Sequence, residues 1–269
     1  MHLLLYGPGR LGGAIVTAAT DAGWACDAIG RPAADGSRRA PAPVADIVVD
    51  ASVSTAVAHN VEHALAAGNR SFILAATGWD ADLPRVRAML LDYGAAAVLS
   101  TNLSLGAALF LRLAETAAGW YARAGAFEPS IVEWHRRGKA DRPSGTARAI
   151  ARRIVAADPR WAGPDTTAAL DTTTGSDGAG VAEATGDGRP ALEISGIRAG
   201  AAPGTHLVTF DGPGESVELR LTARDRTAYA DGALAAARWL VREPRAPGLH
   251  PFDAVVDDLL AASPVAIPA

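Results

Sequence analysis

Short apolar runs and longer amphipathic stretches alternate along the first hundred residues. Leu3–Tyr6, Ala25–Ile29, Asp46–Ala51, Ser71–Ala76 and Ala96–Ser100 read as strands. The β-branched run at Asp46–Ala51 suits a strand buried on both faces. Ala14–Ala22, Ser54–Ala67 and Ala81–Tyr93 carry helical patterns between them, with Gly68 as a C-terminal stop. Arg31–Pro43, rich in Pro, Ala, Arg and Gly, reads as a loop. This alternation predicts a parallel sheet with helices on both faces.

The pattern changes after about Asn102. A long Ala/Leu helix over Leu105–Ala122 is followed by a strand at Pro129–Trp134 and an Arg/Ala helix at Thr146–Ala157. Pro164–Gly188 reads as loop, and Leu192–Arg198, Thr205–Phe210 and Ser216–Ala223 alternate as strands of an antiparallel or mixed sheet. Helices at Tyr229–Val241 and Phe252–Leu260 close the chain, with a loose tail beyond. The expected fold class is α/β: a Rossmann-type parallel-sheet domain plus an α+β substrate domain with a mixed sheet.

Composition narrows the function classes. The chain has 269 residues, 49% of them hydrophobic, and a net charge of -4. Mild acidity argues against a broad nucleic-acid or anionic-membrane surface. A single cysteine, Cys26, allows no internal disulfide. No segment approaches the roughly 20 apolar residues of a spanning helix. A soluble cytoplasmic protein is expected.

Gly7-x-Gly9-x-x-Gly12 follows a strand and opens a helix. Glycines there make a tight turn and let the backbone approach a pyrophosphate at the helix N-terminus. The second strand ends Ile29-Gly30-Arg31, with no carboxylate to bind a ribose 2′-hydroxyl, and Ser37, Arg38 and Arg39 follow. Arginines in this place favour a 2′-phosphate. NADPH is the expected cofactor, with NADH as the alternative.

The most informative stretch runs from Glu133 to Ala147. A strand ends near Trp134 and delivers His135 and Lys139 into a loop, and Ser144-Gly145-Thr146 begins a helix. Open backbone N–H groups and two hydroxyls at a helix N-terminus form an anion site, to which Lys139 adds charge. A carboxylate or phosphate clamp beside a proton-moving histidine is the chemistry implied.

Glu133-Trp134-His135-Arg136-Arg137-Gly138-Lys139-Ala140-Asp141-Arg142-Pro143-Ser144-Gly145-Thr146-Ala147 resembles, without a gap, the signature of the dihydrodipicolinate reductases. Asp50-Ala51-Ser52, Ala75-Ala76-Thr77-Gly78, Thr101–Gly106, Ile197–Gly200, Thr205-His206 and Arg226–Ala233 resemble further motifs of that family, in order. The resemblance implies that the last helices return to the first domain, giving a dinucleotide-binding domain of residues 1–103 and 227–269 around a substrate-binding, catalytic and oligomerisation domain of residues 104–226. It implies a homotetramer built through the second domain's sheet. Carried over by position, His135 and Lys139 form the catalytic pair. Arg136, Lys139, Ser144, Gly145 and Thr146 hold a small-molecule carboxylate substrate. Gly7, Gly9, Arg10, Leu11, Gly12, Arg31, Ser52, Ala75, Thr77, Asn102 and Leu103 surround the dinucleotide.

The chain departs from the family pattern in places. Arg136 stands where the family has a second histidine, Ala75 and Ala76 replace the first residues of its Gly-Thr-Thr loop, and Ala51 replaces an aromatic. Arginine cannot exchange protons but binds carboxylates bidentately. These departures raise two other readings: a divergent member reducing another cyclic imine, and a catalytically silent NAD(P)-binding protein. A different Rossmann oxidoreductase is a third. No metal site is expected. His59 and His63 read as a solvated helix face, His2, His206 and His250 as structural, Cys26 as a small core residue, and Asp257-Asp258 as solvated.

Overall fold

The computed structural model describes residues 1–30, 40–163 and 188–261. The chain divides into two compact units, Met1–Leu105 with Arg226–Ala269, and Gly106–Asp225.

The first unit holds a six-stranded, all-parallel sheet of β1 (His2–Tyr6), β2 (Ala25–Ile29), β3 (Ile47–Asp50), β4 (Ser71–Leu74), β5 (Ala96–Leu99) and β10 (Gly248–Pro251), in the order β10-β5-β4-β3-β1-β2. β3 is buried along its whole length, as a strand covered on both faces must be. Helices α2 (Val57–Ala66) and α3 (Leu83–Asp92) cover one face, closing a core in which Leu4, Tyr6, Val48, Phe72, Leu74 and Ala97 meet Val61, Leu65, Val86 and Leu90. Helices α1 (Arg10–Asp21) and α6 (Thr227–Arg242) pack together on the other face, and α7 (Phe252–Ala261) follows β10. The sheet thus takes strands and helices from both ends of the chain.

In the second unit α4 (Leu105–Ala124) and α5 (Gly145–Ala157) lie on one face of a four-stranded sheet. Its order is β7-β6-β8-β9, from β6 (Glu128–His135), β7 (Glu193–Arg198), β8 (Gly204–Asp211) and β9 (Ser216–Ala223). β6 and β7 run parallel and the other pairs antiparallel, so the sheet is mixed. Phe110, Ala114, Ile131, Ile150, Ile154 and Phe210 form its core.

Several sequence expectations need correction. β10 is absent from them because it is four residues long and ends in Pro251, features an edge strand tolerates. α1 begins at Arg10, not Ala14, because Gly9 already takes the cap position. β3 and β4 end at Asp50 and Leu74, so Ala51, Ala75 and Ala76 lie beyond their strands. Cys26 is only half-buried, since β2 is an edge strand. His63 is not on a solvated face: its Nδ1 is 2.7 Å from the Tyr6 hydroxyl and its Nε2 2.8 Å from the Ala40 carbonyl. His59 is exposed. Arg31, Ser37, Arg38 and Arg39, most of the 164–188 loop and the tail lie outside the described residues.

The return of α6 depends on one missing side chain. A Cβ on Gly232 would stand 1.6 Å from the Leu103 carbonyl oxygen and 3.2 Å from the Phe252 ring. Overpacking of this kind typically costs about 1–3 kcal/mol. Gly232→Ala is therefore expected to lower stability by at least that range in urea unfolding, whereas alanine at Gly23, which meets no atom within 4 Å, is limited to the strain of its turn.

Candidate active site

The dinucleotide-side residues gather at the carboxyl ends of the parallel strands. Neighbouring strands β1 and β3 run on into Gly7 and Ser52, and the chain leaves them towards opposite sides of the sheet. That is the switch point where open α/β sheets bind ligands. Gly7 has φ +86°, and a Cβ there would meet Ser52 Cα at 2.6 Å. A Cβ on Gly12 would stand 2.3 Å from the Gly7 carbonyl oxygen. Both glycines are therefore required by contact. Gly9 caps α1 with no side-chain hydrogen bond, and its carbonyl accepts from Gly13 N–H at 2.7 Å.

Ser52 is fixed by a buried network. Its N–H and hydroxyl donate to Asp50 Oδ1 at 2.9 and 2.6 Å, and Asn60 Nδ2 donates to Asp50 Oδ2 at 2.8 Å. Ala75 N–H donates to the Asp50 carbonyl, leading Ala75 and exposed Thr77 out along the same sheet edge. Asn102 folds its turn by accepting from Ser104 N–H at 3.0 Å. Leu103 is 2% exposed, so its side chain belongs to the core. Gly12→Ala is expected to weaken binding of a nicotinamide dinucleotide at least about tenfold, the equivalent of 1.4 kcal/mol, read from the fluorescence of the reduced dinucleotide.

In the second unit everything is arranged around Glu133. Its side chain is fully buried on β6. Oε1 accepts from Arg198 on β7 at 2.7 Å and from Ser144 N–H at 3.0 Å. Oε2 lies 3.5 Å from His135 Nδ1 and 3.6 Å from His206 Nε2 on β8. The two imidazoles meet edge to face, 5.3 Å between centres. His206 Nε2 is 3.2 Å from Ser144 Oγ, which also accepts from Ala147 N–H at 3.1 Å as the cap of α5. His206 thus satisfies buried partners and belongs to the network around Glu133. The signal was present in Thr205-His206, but a histidine on a strand declares neither its face nor its partner.

Burial by itself would raise the Glu133 carboxyl. The His206 imidazole, Ser144 and Arg198 outweigh it and hold the group well below the usual carboxylate range. Burial lowers the His135 imidazole. His206, Arg198 and Lys139 push the same way and Glu133 opposes them. His135 is therefore neutral at neutral pH in the ligand-free protein. Glu133, His135 and His206 offer donor atoms within 4.8 Å of one another. Arg198 already balances the carboxylate, so the cluster is an ion-pair and hydrogen-bond network with no charge left to attract a metal ion.

The residues expected to hold an anion border this network. Ser144 is 2% exposed and spends its hydroxyl on the helix cap, while Gly145 is exposed and Thr146 half-buried at the start of α5. Lys139 Nζ lies 2.7 Å from Asp141, and that contact, with a hydrogen bond from Gly145, holds the Asp141 carboxyl below its usual range. Asp141 thus shows where a carboxylate is stabilised: on Lys139 and the amide end of α5. Arg198 also donates to the Asp141 carbonyl, and Arg142 to the Gly196 carbonyl. Arg136 is exposed.

Comparison with known proteins places the chain in a family. Residues 106–256 match the family model described as dihydrodipicolinate reductase, C-terminus. The chain belongs to the dihydrodipicolinate reductase family. It is accordingly an oxidoreductase. A 4-hydroxy-tetrahydrodipicolinate reductase of Rhodopirellula baltica is 34% identical over 209 residues, 76% of this chain and 68% of that one. One from Methanoculleus marisnigri is 31% identical over 207 residues, 76% and 74% of the two chains. Among solved structures, a dipicolinate-bound dihydrodipicolinate reductase from Paenisporosarcina shares the fold, with a TM-score of 0.68 at 18% identity over 93% of this chain and 97% of that one. An amine dehydrogenase from Mycobacterium smegmatis has a TM-score of 0.54 at 13% identity, over 94% and 95%. No helix among the described residues is long and apolar enough to cross a membrane.

The buried charges set the acid response of this family member. Both Glu133 and His135 titrate lower in the folded chain than in the unfolded one. Unfolded chains bind the extra proton first, so stability is full above the ordinary histidine value of 6.5 and falls as pH drops below it. It falls more steeply below the ordinary glutamate value of 4.5. Urea midpoints measured against pH are expected to show both limbs, with His135→Asn removing the upper one.

Proposed function

We propose that this chain is a 4-hydroxy-tetrahydrodipicolinate reductase that uses NADPH and serves diaminopimelate and lysine synthesis in the cytoplasm. The observation that carries the reading is the clamp of Lys139 and the α5 amide end beside His135, with Glu133 behind it. The glycine contacts at Gly7 and Gly12 fit a dinucleotide pyrophosphate, together with Arg10, Leu11, Ser52, Thr77 and Asn102 around the same sheet edge. NADPH, when bound, supplies a hydride, which adds two electrons to the conjugated double bond of the substrate.

Lys139, with Gly145 and Thr146, binds the substrate carboxylate and orients the ring. His135 supplies the proton that balances the added hydride, and Lys139 stabilises the negative charge that develops before it arrives. Arg136 is an exposed cation at the clamp's edge and takes a second carboxylate oxygen in place of the family's histidine. NADPH oxidation with freshly generated precursor, NADH run alongside, tests the reading. Rapid turnover that drops about a hundredfold or more in Lys139→Ala supports it, the usual size of such an effect. Dinucleotide binding with no turnover on this precursor would favour the reading that Arg136 raises, reduction of another cyclic imine.

The mixed sheet suggests how the protein assembles. Opposite α4 and α5, its other face carries Val132, Trp134 and Leu207 with Ile197, which is 40% exposed. A homotetramer assembled through this face covers those side chains. Light scattering of Ile197→Glu is expected to show smaller species than the parent chain, and an unchanged mass would remove this face from the interface.

A further inference from the structure

His135 presents its two ring nitrogens to different surroundings. Nδ1 is buried, has no hydrogen-bond partner and lies 3.5 Å from Glu133 Oε2, which is also buried and unpartnered. The Nε2 edge faces Gly204, where a Cβ would come within 3.3 Å. Glu133 Oε1 is already saturated by Arg198 and Ser144. The second claimant on Oε2, His206 Nε2, is held instead by Ser144 Oγ at 3.2 Å. One carboxylate oxygen therefore stands open between two imidazoles, slightly too far from each to accept a hydrogen bond.

The charges that act on His135 pair off, with Arg142 a further cation beside Glu133 at the Gly196 carbonyl. Glu133 on its own strand is offset by Arg198 on β7. Lys139 in the following loop is offset by Asp141. His206 faces it from β8, and the first turn of α5 carries no acid. A proton added to this group is an uncompensated charge until an anion arrives. A dicarboxylate bound at the clamp supplies the anion.

We propose that dicarboxylate binding draws one proton from solvent onto His135, and that Glu133 Oε2 accepts the Nδ1–H of the imidazolium so formed, leaving Nε2–H on the Gly204 side. Glu133 and His206 are then positioning residues: the first anchors the proton-bearing ring, and the second, tied to Ser144, leaves the oxygen free to do so. The inference rests on the reduction proposed above for His135 as proton source. The burial that keeps His135 neutral in the ligand-free protein fits it, because the proton has then to be acquired on binding.

Two measurements test it. NMR titration of the ligand-free protein is expected to show His135 titrating at lower pH in Glu133→Gln and at higher pH in His206→Asn. Calorimetry with dipicolinate, in buffers of different ionisation heat, is expected to show uptake of about one proton per site, the value for a single linked group, and none in His135→Asn. An unchanged His135 titration in Glu133→Gln, or bound dipicolinate with no proton uptake, overturns the proposal. Where Glu133→Gln fails to fold, His206→Asn decides, and an unmoved His135 there overturns it. Failure of dipicolinate to bind would count against the proposed reaction, while the ligand-free titration still judges Glu133.

Discussion

A buried carboxylate without a counter-charge would not be tolerated in this fold. Glu133 is fully buried, and three separate segments converge to make that possible: β7 sends Arg198, β8 sends His206, and the loop before α5 sends the Ser144 amide. Removing one partner of such a group leaves an uncompensated charge worth several kcal/mol. The same contacts set the geometry of the clamp. Ser144 is held from below by Glu133 and His206, so α5 begins where its amides face the loop of Lys139. Stability of the second unit and placement of its chemistry are thus one arrangement.

The first unit solves its problem with absent side chains. Gly7 and Gly12 allow the turn after β1 to press against Ser52 and fold back on itself. Asp50 and Asn60, both buried, hold Ser52 in place. A polar network here and a charged one in the other unit each fix a loop end from behind while leaving the exposed side open. Preorganised loops of this kind are what positioning and electrostatic catalysis require.

Much of this was legible in the sequence. The apolar runs of β1, β3, β4 and β5 were long and pure enough to read, as was the glycine turn. The segment from Glu133 to Ala147 carries its chemistry locally, because a strand end, a loop and a helix cap are contiguous. What was not legible is contact between distant segments. Nothing local says that His206 faces His135, that Ser144 meets His206, or that Arg198 reaches Glu133. β10 escaped for a related reason: four residues with a terminal proline have no periodicity, and only the open edge of β5 makes them a strand.

That last strand has a bearing on how the chain is made. β5 is an interior strand of the finished sheet, yet its outer neighbour, β10, is encoded some 150 residues later, after the whole second unit. During synthesis, therefore, the first unit waits with a row of unpaired backbone groups along β5 and with only α1 on the α6 side of its sheet. Such an edge templates pairing with other chains. The second unit, continuous in sequence, can complete itself meanwhile, so the order in which the ribosome delivers the chain makes the dinucleotide-side sheet the last part to close and the part most in need of protection until it does.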